Sequence, residues 1–267
     1  MRDRVIGFIG LGNMASAIIG GMLQKKMVEA QHIIGYDVSE AARKNAEEKF
    51  GILVALDNEE AAAKADILFL AVKPIFMAEV ISGIKEAVKP ETVIVSIAAG
   101  RTLGFLGEAF GSGHKIVRCM PNTPALVLEG CTGVCANENV NEEELATVLE
   151  LLKSFGKASV VPERLMDVVV GVSGSSPAYV FMFIEAMADA AVAAGMPRKQ
   201  SYEFAAQAVL GSAKMVLETG MHPGELKDMV CSPGGTTIEA VKVLEQKGLR
   251  GAVMSAMEAC IEKSKNL

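Results

Sequence analysis

Val5-Ile6-Gly7-Phe8-Ile9-Gly10-Leu11-Gly12-Asn13-Met14-Ala15 decides how the rest of the chain is read. A short apolar run ends in a glycine turn, and Asn13 to Lys25 then carries Met14, Ile18, Met22 and Leu23 at helical spacing. Strand, turn and helix in this order, with Gly-x-Gly-x-x-Ala at the junction, match a dinucleotide-binding crossover unit. Gly10 makes the tight turn, Gly12 lets the backbone approach a pyrophosphate, and Ala15 permits close packing of helix on strand. The amides and positive dipole end of the helix then meet the anion. Gly10, Leu11, Gly12, Asn13 and Met14 are the first candidate cofactor contacts.

The unit closes after a second strand, Ile33 to Tyr36, at Asp37. A carboxylate there accepts hydrogen bonds from the adenosine ribose of NAD and repels the phosphate of NADP, which leans the cofactor toward NADH. Ser39, Arg43 and Lys44 lie close behind and could hold that phosphate if the loop bends toward it. A favourable charge at a helix N-terminus is the weaker alternative reading of Asp37.

Further strands are expected at Ile67 to Val72, Val93 to Ile97, Ile116 to Met120 and Thr132 to Cys135, with a helix from Glu142 to Phe155. Strands alternating with amphipathic helices imply crossover connections and a mainly parallel sheet. The composition shifts near Val160-Val161-Pro162, and no convincing strand follows. The expected class is therefore α/β: an N-terminal Rossmann-type doubly wound sheet over 1–162, then an all-α dimerisation domain over 163–267. Pro177 to Ala194 is apolar on nearly every side, with Glu185 and Asp189 as its only charges. Such a helix must be surrounded, so a homo-oligomer built through this domain is expected.

Composition narrows the function classes. Hydrophobic residues make up 51% of the chain, yet no uninterrupted apolar run reaches the roughly 18 residues of a membrane span. A formal net charge of −6 and scattered lysines and arginines give no basic stripe for nucleic acid. The apolar N-terminal run breaks at once into glycines, unlike a secretory signal, so a cytoplasmic protein is expected. Cys119, Cys131, Cys135, Cys231 and Cys260 show no zinc-like spacing, so no metal is expected; Cys131 and Cys135 read as small buried hydrophobes.

His32, His114 and His222 each have an ordinary structural explanation, so histidine acid-base catalysis is not expected. Two stretches suit a small anion instead. Ser173-Gly174-Ser175-Ser176-Pro177 leads into the apolar helix, and Ser232-Pro233-Gly234-Gly235-Thr236-Thr237 leads into a helix from about Ile238. The second combines two glycines, a helix N-terminus and two hydroxyls, which would fit a carboxylate. Thr236 or Thr237 acting simply as an N-cap is the competing reading.

These residues resemble the pyrroline-5-carboxylate reductase family from Val5 to the last helix. The resemblance rests on Phe8 to Met14, Ala71-Val72-Lys73-Pro74, Ser96 to Gly100, Arg118 to Ala125, Ser173-Gly174-Ser175 with Pro177-Ala178-Tyr179, and Asp228 to Thr237. It implies reduction of the cyclic imine 1-pyrroline-5-carboxylate to L-proline, the last step of proline biosynthesis, by hydride from NADPH or NADH. It also implies dimers interlocked through the helical domain and often assembled into decamers. By the same resemblance Asn58 and the turn Ala71, Val72, Lys73, Pro74 contact the cofactor, and Ala98, Ala99 and Gly100 approach its nicotinamide end. Glu163, Gly235, Thr236 and Thr237 surround the substrate, with Thr237 near the ring nitrogen. A protonated imine is already an electrophile, so no strong base is needed.

Three positions depart from the family pattern: Ser176 replaces a glycine, Met229 stands where many members have asparagine, and Val38 follows Asp37 where many bacterial members have Asn-Arg. Loss of that arginine adds to the lean toward NADH. A β-hydroxyacid dehydrogenase would share the glycine-rich start, but it places a lysine at the opening of its long helix, and Gly171 to Tyr179 contains none. A noncatalytic dinucleotide sensor is the other alternative; the Gly235-Thr236-Thr237 set speaks against it.

Overall fold

A computed structural model describes residues 4–266. Eight strands form one sheet: β1 (Ile6–Ile9), β2 (Ile33–Tyr36), β3 (Leu53–Val54), β4 (Ile67–Leu70), β5 (Val93–Ser96), β6 (Lys115–Met120), β7 (Gly130–Ala136) and β8 (Gly156–Val160). Their order is β3-β2-β1-β4-β5-β6-β7-β8, parallel throughout except where β7 runs antiparallel to β6. The helices between them are α1 (Asn13–Gln24), α2 (Glu40–Phe50), α3 (Asn58–Lys64), α4 (Met77–Ile84), α5 (Leu103–Phe110) and α6 (Glu142–Lys153).

Period-2 alternation sorts the strand residues between two cores. Ile6, Phe8, Ile67, Phe69, Val93 and Val95 pack with Ile18, Ile19 and Met22 of α1 and with Val148, Leu151 and Leu152 of α6. Ile9, Leu68, Leu70 and Ile94 pack on the other face with Met77, Ile81 and Ile84 of α4 and with Leu106 and Phe110 of α5. Phe8 and Phe69, opposite one another in the β1–β4 ladder, stack at 4.9 Å. Helices cover both faces, so the doubly wound reading holds. Sequence order reverses between β1 and β4, which opens a crevice beyond their carboxyl ends.

After β8 come α7 (Met166–Val169), a π-helical turn over Val170–Gly174, then α8 (Ser176–Ala193), α9 (Arg198–Thr219), α10 (Pro223–Val230), α11 (Thr236–Gln246) and α12 (Leu249–Lys265). The chain groups into two compact units, Ser176–Ala259 and the remainder. This division differs from the expected 1–162 and 163–267. Residues 163–175 stay with the sheet because Glu163 pairs with Arg118 of β6 and Val169 fills the space beside Gly133 of β7. The last turns of α12 join the same unit, where Ser264 Oγ donates to Asp167 Oδ1 at 2.7 Å and Cys260 Sγ to Ser175 Oγ at 3.1 Å.

One other expectation changes. Cys135, opposite Arg118 in the β6–β7 ladder, is buried, but Cys131, on the same face four residues earlier and beyond the end of that ladder, is exposed. Helix Glu163–Ala193 is long and apolar enough, by length and composition, to cross a bilayer, although its first turns bury Met166, Val170 and Ser173 within the sheet unit. Within the helical unit α8 packs on α9, yet Phe181, Met182, Phe204 and Leu217 are each at least 60% exposed.

Candidate functional site

Sterics make the turn after β1. Gly10 has φ +95, and a Cβ there would lie 2.6 Å from the Ala71 carbonyl oxygen that follows β4. Gly10 N donates to Tyr36 O and Ala71 N to Ile9 O, both at 2.8 Å, so the ends of β1, β2 and β4 are tied together around the crevice. Gly12 is the N-cap of α1 and supplies no side-chain cap; a Cβ on it would meet nothing within 4 Å. Ala15 is buried where α1 meets the sheet. Leu11 also points inward, into the space left by Gly35, where a Cβ would sit 2.6 Å from Leu11 Cδ2.

Asp37 acts between two turns. Its Oδ2 accepts from Leu11 N at 2.8 Å and its Oδ1 from Ser39 N at 2.9 Å. Ser39 Oγ caps α2 through Ala42 N. Arg43 Nη1 donates to the Asp37 carbonyl at 2.6 Å, and its guanidinium lies over the Tyr36 ring. Lys44 stands on the exposed face of α2 opposite Glu40.

A cavity of about 760 Å³ occupies this crevice, within the roughly 300–1,000 Å³ range of cofactor clefts. Gly10, Gly12, Asp37, Val38, Asn58, Ala71, Val72 and Lys73 line it. A wall from α4, with Phe76 beside it, adds Val80, Gly83 and Ile84; nothing in their sequence distinguishes them from ordinary helix-core residues. Leu11, Asn13, Met14, Ser39, Pro74, Ala98, Ala99 and Gly100 are not among its walls. Asn13 and Met14 form the first turn of α1, while Ala98 and Ala99 follow β5 and lead to Gly100 at φ +73. The glycine cradle, the helix end and the cavity's size fit a dinucleotide. Its lining carries Asp37, Asp57, Glu59 and Glu79 against Lys73.

The Glu163 carboxylate is engaged internally. Oε1 accepts from Leu103 N at 2.7 Å, at the start of α5, and from Arg118 Nη1 at 3.0 Å. Arg118 is 5% exposed, so this pairing neutralises a buried charge. Beside them the Cys135 thiol is pushed up to about 11, first by burial and then by the Glu163 charge, against the opposing pull of Arg118. Asn122 is buried and braces the π turn, donating to Ser173 O at 2.9 Å and accepting from Cys131 N at 2.8 Å. Ser175 closes that turn through its own amide on Val170 O.

In the helical unit, Gly234 takes φ +66 and Gly235 is the N-cap of α11. A Cβ on Gly235 would lie 2.3 Å from Ser232 Oγ, so this backbone excludes any larger residue unless Ser232 moves. Thr236 and Thr237 are the first two residues of the helix, and neither hydroxyl caps it. The competing reading, a threonine N-cap, is thereby corrected: glycine takes the cap position, and no side-chain cap hydrogen bond forms there among the described residues.

Comparisons with known proteins agree along the whole chain. A family model described as pyrroline-5-carboxylate reductase dimerisation matches residues 163–267, and one described as NADP oxidoreductase, coenzyme F420-dependent, matches residues 5–100. The chain is 57% identical over 265 residues to pyrroline-5-carboxylate reductase of Escherichia coli (strain K12), covering 99% of this chain and 98% of that protein. It is 47% identical over 267 residues to the Methanosarcina acetivorans pyrroline-5-carboxylate reductase, covering 100% and 99%. The crystal structure of Plasmodium falciparum pyrroline carboxylate reductase with NADP bound superposes with a TM-score of 0.91 at 36% identity, covering 100% of this chain and 98% of that one. An NADH-preferring ketol-acid reductoisomerase, at TM-score 0.66 and 14% identity over 99% of this chain and 82% of its own, shares the fold alone.

Proposed function

The chain belongs to the pyrroline-5-carboxylate reductase family, and from that premise we propose that it reduces the C=N bond of 1-pyrroline-5-carboxylate to give L-proline in the cytoplasm. Bound dihydronicotinamide supplies the hydride for the imine carbon. The protein's share is positioning and hydrogen bonding. Gly10 to Met14, Asp37, Ser39 and Asn58 take the dinucleotide, and Ala71 to Pro74 and Ala98 to Gly100 orient its nicotinamide end. Amides around Gly235 and Thr236 hold the substrate carboxylate, and the Thr237 hydroxyl serves the ring nitrogen as it passes from iminium to amine. Glu163 and Ser175 complete the proposed substrate set.

One observation carries this reading beyond family membership. Gly235 caps α11 without a side chain, which leaves the first-turn amides and the Thr236 and Thr237 hydroxyls for a ligand. The test is dihydronicotinamide oxidation by the purified protein with pyrroline-5-carboxylate, run with NADH and with NADPH. Absence of turnover with both cofactors overturns the assignment.

NADH is the proposed cofactor, because four carboxylates line the cavity against one ammonium and a 2′-phosphate adds further negative charge there. A kcat/KM ratio favouring NADPH by more than about tenfold, some 1.4 kcal/mol, overturns that preference. The exposed apolar faces of α8 and α9 are covered by a second copy of the chain, and such dimers assemble further toward the decamer that the family resemblance implies. Light scattering at micromolar concentration tests this, and a monomer rejects it.

A further inference from the structure

We infer that Arg101 is a positioning residue for the dinucleotide, locking the Ala71–Pro74 turn to the Ala98–Gly100 turn so that both move as one edge. The inference rests on the cofactor reading above. β4 and β5 are neighbouring parallel strands, and their ladder ends where Ile97 N donates to Leu70 O at 3.2 Å. Beyond that bond each backbone leaves the sheet separately. Among the described residues, the Arg101 guanidinium then supplies the hydrogen-bonded link between the two turns: Nε and Nη2 both donate to the Pro74 carbonyl, at 3.1 and 2.9 Å.

Local chemistry explains why this residue pair does the task. Proline has no N–H, so the Pro74 backbone offers its carbonyl as the handle. A planar guanidinium places two donors on one acceptor with a fixed direction, which a lysine ammonium cannot do. Gly100, at φ +73, turns the chain just ahead of Arg101. The other side of the guanidinium is backed by Phe105, whose ring centroid lies 4.9 Å from Cζ. The segment carrying Arg101 is itself anchored, since Thr102 Oγ1 accepts from Phe105 N at 3.0 Å and Glu163 Oε1 takes Leu103 N at 2.7 Å. Arg101 makes no ion pair among the described residues, so the fork on Pro74 is its principal polar engagement.

NADH fluorescence titration and steady-state kinetics on the full-length protein test the role. In Arg101→Ala the dinucleotide Kd should rise about tenfold and kcat should fall by a similar factor, since small displacements near reacting atoms are costly. The KM for the imine should stay within about twofold, and amide exchange across residues 71–76 should accelerate without dinucleotide present. Arg101→Lys, which keeps charge but not the fork, should recover part of the loss, leaving Kd about threefold raised. Phe105→Leu, with the fork intact, should change Kd by less than about twofold. An Arg101→Ala Kd within twofold of wild type, or an imine KM raised as much as the dinucleotide Kd, overturns the inference. If Arg101→Ala fails to fold, an unaltered Kd in Arg101→Lys overturns it. Wild-type protein that binds no dinucleotide overturns the cofactor reading and this inference together, whereas normal wild-type binding with unchanged variants removes the inference alone.

Discussion

The helices that open the two candidate ligand turns each begin behind a glycine with no side-chain cap: α1 behind Gly12 in the sheet unit, and α11 behind Gly235 in the helical unit. Several others are capped by side chains, including Ser39, Asp57, Thr102 and Asn141. The two bare helix ends are built differently. Around α1 the turn is dictated from outside, by the Ala71 carbonyl against Gly10 and by Leu11 against Gly35. Around α11 it is dictated from within, by Ser232 folding back on Gly235, whose amide donates to Ser232 O at 3.0 Å. An externally packed turn belongs to the fold's own stability, whereas a self-contained one can be altered at its tip with little cost elsewhere.

Gly10→Ala is the hardest test of that contrast. It combines a positive φ with a backbone clash at 2.6 Å, so thermal denaturation should show a loss of about 3 kcal/mol or more together with lost dinucleotide binding. Equal stability of this variant and wild type would erase the distinction. Thr237→Ala is the converse case, because its hydroxyl supports no cap. Unfolding should stay within about 0.5 kcal/mol, while kcat/KM for the imine drops about 100-fold; retained efficiency removes Thr237 from catalysis. Gly12→Ala sharpens the comparison inside the first turn. A Cβ there meets nothing within 4 Å, so stability should hold while titration shows about tenfold weaker dinucleotide binding, the added methyl standing where a phosphate approaches.

The smallest effect is acid sensitivity. Partial burial alone would raise the Asp66 carboxyl, but hydrogen bonds from Lys89 and the Val5 amide outweigh it and hold it below the usual carboxylate range. Burial likewise opposes a lowered Glu144, and the Lys115 ammonium and the Asn141 amide prevail over it, holding it below its ordinary value. Lowered folded-state values contribute stability above the ordinary carboxylate range, and that contribution is lost as pH falls through them. Hydrogen exchange between about pH 5 and pH 3 should therefore show the sheet unit loosening, modestly because both pairs are partly solvated. No change in protection of β1, β4 and β6 over that window would rule out this source of acid sensitivity.

Most of the sheet could be read from residues alone, because β1, β2, β4, β5 and β6 are runs buried on both faces and flanked by turn residues. β3 could not, since two residues cannot show a period. β8 could not either: Gly-Lys-Ala-Ser-Val lies at the sheet edge, half exposed and without an apolar run, and it pairs because β7 offers a free edge. The π turn over Val170–Gly174 has no propensity signal, as Asn122, some fifty residues earlier in the chain, braces it. In the site, the glycine turn is legible because its steric needs are local. The α4 wall is not, since Val80 and Gly83 acquire meaning only when the β1–β4 crevice brings them to it. The Glu163 carboxylate is the instructive case: family resemblance points it toward substrate, and no local pattern announces its bonds to Arg118 and the start of α5, which tertiary structure alone creates.

The Asp37 carboxylate holds the Leu11 and Ser39 amides at once, and this constrains anyone who would re-engineer coenzyme choice. Removing its charge to admit a phosphorylated ribose also strips an acceptor from a residue that is only 3% exposed, so a bare truncation trades selectivity against the integrity of the glycine turn. Asp37→Asn keeps an oxygen at the position that accepts from that amide and separates the two consequences. Coenzyme preference and turn rigidity are thus pleiotropic outputs of one side chain, and the tolerated routes between them run through neutral acceptors.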